Sequence, residues 1–275
     1  KLAAWNSASS MGTARKESIG FGTQTAGVYC GGVTPPSSLV VEEYNGTGFS
    51  AGTNMPANRG VGVGAGTATA GLVSNGEPTP SVATIEYNGS AWTSGGDMPA
   101  ARRFITGFGL QTAAIGAGGL NGSNSDNSYE YNGSSWTALP NLNTARRGAG
   151  GTGSTTAGIV YGGYTTTYVA NSEEWDGSSW SEGDDLNTAR SALYSFGTQT
   201  TAVSAGGQNT PGYLTATENY DGSSWTTSPA TMGTANAFGG SAIQAPGTAG
   251  ISVGGNNPSI NGTVQEYNES TNIIT

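Results

Sequence analysis

The chain has 275 residues and a formal charge of −9, with 10% charged residues, 47 glycines and abundant Ser, Thr and Asn. Two lysines, Lys1 and Lys16, and seven arginines are too few for a duplex nucleic-acid binder or for a ligand of anionic membranes. No apolar run is long enough for a transmembrane helix, and Cys30, the single cysteine, excludes an intramolecular disulfide.

In chain order, the sequence opens at Lys1 without a methionine or signal peptide, and reads as a fragment of a longer protein or a processed one. Trp5 comes first, then Met11 and Arg15, then a short apolar run ending in Cys30-Gly31-Gly32. Cys30 falls in a buried strand and is expected to be an inert core thiol. Next come Glu43-Tyr44-Asn45-Gly46 and Phe49, and the same order then returns. The third-strand aromatics are Tyr44, Tyr87, Tyr131, Trp175, Tyr220 and Tyr267, spaced by 43, 44, 44, 45 and 47 residues. A period of this size marks an array or a propeller.

The copy from Leu142 to Asp185 shows the unit most clearly. A small-residue strand over Gly148–Gly151 follows Ala145-Arg146-Arg147. A second strand, Ala157–Tyr161, ends in Gly162-Gly163. After a variable loop, the third strand carries Glu174 and Trp175 and the fourth carries Trp180. Asp176-Gly177 between them predicts a tight type I′ hairpin. Four short antiparallel strands per copy, repeated radially, make a propeller blade. The blades fall at about 11–54, 55–97, 98–141, 142–185, 186–231 and 232–275 plus 1–10. Trp5 is a fourth-strand residue with no third strand before it, and Tyr267 is a third-strand residue with no convincing Trp after it. An all-β, six-bladed β-propeller is therefore expected, forming one domain, with residues 1–10 closing the last blade and leaving no long open edge.

The double glycine, the Glu-Tyr strand, the Trp strand and the Ala-Arg lead-in resemble the kelch motif in every copy. The near-uniform Tyr131-Asn132-Gly133-Ser134-Ser135-Trp136 block is similar to kelch-like propellers of phage and marine-virus proteins. The resemblance implies a binding module. It also implies that arginines in the lead-in line a ligand pocket.

All seven arginines lie in that lead-in: Arg15, Arg59, Arg102, Arg103, Arg146, Arg147 and Arg190, with Asn236 in the sixth copy. Two readings stand side by side. A ring of guanidinium groups suits a carboxylate, phosphate or sulfate. Alternatively, each arginine pairs with its blade's recurring acid: Glu43, Glu86, Glu130, Glu174, Glu218 (offset by one) and Glu266. Arg103 and Arg147 exceed a one-to-one pairing and are the better ligand candidates. The recurring Tyr and Trp residues are expected to pack between blades.

The loops after the double glycine vary most: Val33-Thr34-Pro35-Pro36-Ser37, Glu77-Pro78-Thr79-Pro80, 120–127, 164–171, 208–213 and 256–261. Strand order places them on the same face as the arginines, with Tyr164, Tyr168 and Tyr213 as candidate contacts. The absence of histidine removes Ser-His-Asp and Cys-His catalysis and any imidazole metal site. Asp126, Asp184 and Asp185 show no metal-ligand spacing. Asp176–Trp180 and Asp221–Trp225 are similar to sialidase Asp-box turns, with a different residue order. The expectation is a non-enzymatic recognition module for a glycan or protein surface, without cofactor, metal, nucleic acid or membrane insertion. Its setting would be extracellular or virion-associated. A sialidase-like glycoside hydrolase and a structural spacer in a fibre or tail are the alternatives.

Overall fold

The computed structural model describes residues 2–270 apart from 36, 79 and 211, so Lys1, Pro36 and Thr79 lie outside it. Among the described residues, twenty-four strands form six four-stranded antiparallel sheets, and a two-stranded ribbon joins Leu120–Asn121 to Ser123–Asn124. Each sheet is one blade of a six-bladed β-propeller, and its innermost strand packs against those of both neighbours around the ring. The ring closes as the sequence requires. Leu2–Ser7 pairs with Ile260–Ser270, placing Trp5 opposite Tyr267, and completes the blade built from Gly240–Ser241 and Ala249–Asn256.

The repeated residues explain the joints between blades. The second residue of each double-glycine pair donates its N–H to the carbonyl of the lead-in residue in the next blade. The pairs run from Gly32 to Arg59 (2.7 Å) through to Gly255 to Arg15 (2.9 Å). Gly31 and Gly32 both have positive φ, and a Cβ on Gly31 would overlap the Arg59 carbonyl, so blade 1 requires glycine there; blade 2 holds Asn75 in that slot, with φ 63°. Further out, the fourth-strand indoles of Trp136, Trp180, Trp225 and Trp5 donate to Thr84, Ser128, Ser172 and Thr217 of the preceding blade, at 2.9–3.1 Å. In blade 1 the aromatic is Phe49, and the facing core residue is Val264.

Successive joints also alternate in kind. Phe21, Phe108 and Phe196, on the inner strands of blades 1, 3 and 5, lie against Gly71, Gly158 and Gly250 of the following blades. There is no room there for a Cβ. At the other three joints, Gln24, Gln111 and Gln199 reach back to two carbonyls of the preceding blade, at 2.8–3.1 Å.

The third-to-fourth hairpins differ from the expected type I′ turn. Trp175 pairs with Trp180 across four residues, and only Gly177 has positive φ (92°). Asp176 instead closes the loop with its side chain, accepting from the Ser178 and Ser179 N–H groups at 2.7 and 2.8 Å. This is an Asx turn, which Asn45, Asn88 and Asn132 repeat. The fourth blade's inner strand runs Gly150–Gly153, two residues later than expected, because Gly148 has left-handed backbone at the axis.

Candidate ligand-binding face

Six equivalent residues ring one mouth of the axis: Glu17, Val61, Phe104, Gly148, Ala192 and Phe238, all with φ between 50° and 62°. Glu17, Val61, Gly148, Ala192 and Phe238 each donate a backbone N–H to the ring carbonyl of the preceding blade. Left-handed backbone at Val61 is costly for a β-branched residue and is held by this circle of bonds. Phe104 and Phe238, from opposite blades, meet edge-on across the axis with centroids 6.5 Å apart. At the other end of the axis Gln244 bonds Gly109, also from opposite blades, at 2.5 Å. The polar cavity lined by the inner strands measures about 110 Å³.

The first arginine of each lead-in is structural. Arg15, Arg59, Arg102, Arg146 and Arg190 are 0–6% exposed. Arg146 pairs with Glu173 at 2.7 Å and also donates to the carbonyls of Gly162 and Asn171, pinning the ends of its own loop. Arg190 does the same with Glu218, Gly206 and Ala216, and Arg15 pairs with Glu42 at 2.9 Å. Burial pushes these guanidinium groups down and their glutamates push them back up. Blades 2 and 3 have no acid in the slot. There Arg59 bonds the Asn75 and Ala83 carbonyls, and Arg102 bonds Asn127 and Ser125 and lies over the Tyr129 ring. In blade 6 two neutral residues occupy these slots: Asn236 donates to the Gly254 carbonyl, and Gln265 accepts from the Gly233 N–H.

The pairing acid is therefore not the recurring one. Side chains alternate along a strand, so Glu42 and Glu43 point to opposite faces. Glu43, Glu86, Glu174 and Glu266 accept from the tyrosine hydroxyls of Tyr87 (2.5 Å), Tyr131 (2.7 Å), Tyr220 and Tyr44 (2.8 Å) in the next blade. Burial, and then the acid beside it, pushes the Tyr87 hydroxyl up to about 12. These Tyr–Glu pairs are latches between blades and hold protonated phenols at neutral pH. Trp175 replaces the tyrosine opposite Glu130, and its indole bonds the Thr155 carbonyl instead. Cys30 is fully buried, and burial pushes its thiol up to about 12.

The second arginines differ from the first. Arg103 and Arg147 line a depression of about 410 Å³ beside the axis, together with Phe104, Phe238, Tyr164, Tyr168 and Gln208. The variable loops do share this face. Their bridges to the lead-ins include Arg103 to Leu120, Arg147 to Tyr164 and Ser191 to Gln208. Arg147 lies 4.7 Å from the Tyr164 ring centroid, and Tyr164 meets Tyr168 edge-on at 5.2 Å. Tyr213 stands apart from the depression and bonds Asn256. Of the sequence candidates, Arg103, Arg147, Tyr164 and Tyr168 come together, whereas Arg15, Arg59, Arg102, Arg146 and Arg190 are turned into the blades. Phe104 and Phe238 are additions. No repeat slot marked them, because their backbone conformation depends on the closed ring. Among the described residues, no cluster of three or more acidic or thiol groups is placed to hold a metal.

No protein-family model matches the sequence, and no curated protein is similar to it in sequence. In structure the chain is similar to the solved structure of YjhT. The likeness covers 97% of this chain and 98% of that one, with a TM-score of 0.79 and 12% sequence identity. At that identity the likeness carries the six-bladed propeller fold and nothing about the ligand.

Proposed function

We propose that this chain is a kelch-type recognition module without enzymatic activity, and that its variable face docks a glycan or a protein surface. A setting on a virion or outside the cell belongs to the same reading. The observation that carries it is the convergence of Arg103 and Arg147 with Tyr164 and Tyr168 in one depression. These are the two arginines that the blades do not need for their internal clamps. Arginine and tyrosine bring planar hydrogen bonding and rigid contact area to such a site. The Tyr–Glu pairs, which a sialidase-like mechanism would draw on, serve as latches here.

A glycan-array screen tests the reading. Binding by the wild type should fall at least tenfold in Arg147→Ala, with unfolding temperature unchanged. Ligands bound equally by wild type, Arg103→Ala and Arg147→Ala would remove the face from consideration. Turnover of a fluorogenic sialoside would replace the binding module with an enzyme.

A further inference from the structure

The slot after each lead-in arginine holds three cations, and they are not equivalent. Lys16 pairs with Glu17 at 3.1 Å, and Arg103 pairs with Glu77 at 2.9 Å. Arg147 instead donates to a neutral amide, Asn124 Oδ1, at 3.2 Å. The partners of the two arginines in the depression are both held in place. Glu77 exchanges two backbone hydrogen bonds with Gly60, at 3.0 and 3.1 Å, and its side chain is 16% exposed. Asn124 is fixed by donating its amide to the carbonyls of Tyr164 and Thr165, at 3.1 and 2.6 Å. The guanidinium of Arg147 rests on the Tyr164 ring, leaving in-plane N–H donors for a ligand. Among the described residues, no acidic side chain lines the depression.

We propose that Glu77 sets the charge this site accepts. By neutralising Arg103 it leaves Arg147 as the uncompensated cation of the depression, so the site takes a ligand with a single negative charge, a carboxylate or sulfate ester. A dianion such as a phosphate monoester is disfavoured, because its second charge meets an Arg103 that Glu77 already neutralises. This inference rests on the recognition face proposed above. The aromatic surface of Tyr164, Tyr168, Phe104 and Phe238 would cover the uncharged part of the ligand.

The test titrates the full chain with glucuronate and with glucose 6-phosphate in its dianionic form, following tyrosine ring signals by NMR at low salt. Wild type should prefer glucuronate. Glu77→Gln should strengthen glucose 6-phosphate binding by roughly tenfold and shift the preference towards the dianion, as release of one nearby charge pair predicts. Asn124→Asp, which gives Arg147 an acidic partner, should abolish glucuronate binding; both variants are checked for an unchanged unfolding temperature. If wild type binds the two probes equally and Glu77→Gln leaves the ratio unaltered, Glu77 does not select charge, although the anion site stands. If neither probe moves a tyrosine signal in any variant, the recognition face itself is wrong, and the inference falls with it.

Discussion

Glu173→Gln removes one charge from the blade 4 clamp while keeping a side chain of the same shape. Both Glu173 and Arg146 are fully buried, 2.7 Å apart, and Glu173 also accepts the Asn143 and Thr144 N–H groups at 2.6 and 3.1 Å. Glutamine can still accept those two bonds, as Gln265 does from Gly233 at 2.6 Å and Thr234 at 3.2 Å in blade 6. What it cannot do is compensate the buried guanidinium. Breaking such a pair costs about 3–5 kcal/mol. At about 2 °C per kcal/mol for a chain of this size, the unfolding temperature should fall by roughly 6–10 °C. Arg146→Asn with Glu173→Gln copies the neutral residues of blade 6, Asn236 and Gln265, and should be less damaging than Glu173→Gln alone. Thermal and urea unfolding followed by tryptophan fluorescence read both. A single variant costing under about 1 kcal/mol, or a double variant worse than the sum of its singles, would refute the account of the arginines as charge-paired clamps.

Two further outcomes follow from the same geometry. The carboxyl of Glu17 is pushed up chiefly by burial, with Glu77 adding to the shift and Lys16 opposing it. A raised folded-state value favours folding below the ordinary glutamate range, and that contribution is lost as pH rises through the folded value. Glu17→Gln should therefore raise the unfolding temperature at neutral pH, by a margin that shrinks as pH falls through the raised folded value and is lost below the ordinary glutamate range at about 4; a margin unchanged between neutral pH and about 4 would contradict the assignment. Trp180→Phe removes the 3.1 Å bond to Ser128 and should cost about 1 kcal/mol or more. Adding Ser128→Val, which copies the Phe49–Val264 joint, should recover part of that cost in chemical denaturation.

The fold was legible because the repeat is read in one dimension. Tyr267 near the end and Trp5 near the start state the closure between them, and the structure pairs them. The site was legible only in part. Arg103 and Arg147 stood out as surplus to one arginine per blade, and they are the two that reach the depression. In blades 1 and 4 the pairing acids, Glu42 and Glu173, lie one residue before the recurring ones, because a strand turns neighbouring side chains to opposite faces. Glu218, out of step with the other recurring acids, already marked the true pairing slot. The latch position in that blade is Asn219, which donates to the Tyr267 hydroxyl at 3.0 Å. Phe104 and Phe238 carried no local signal, since only the closed ring brings opposite blades together.

The alternating joints set a rule on how many blades this sequence can use. Each odd blade offers a phenylalanine forward to a glycine and a glutamine backward to two carbonyls. Even blades offer the matching halves. Joining two like halves at blade 3 or blade 5 would set a phenylalanine against Ala114 or Ala202, whereas blade 1 carries Gly27 in that position. Inserting or deleting blades at these joints therefore fits the packing best in steps of two, about 88 residues. The molecule is in this sense three copies of a two-blade unit in one chain, with a parity that its 44-residue period conceals.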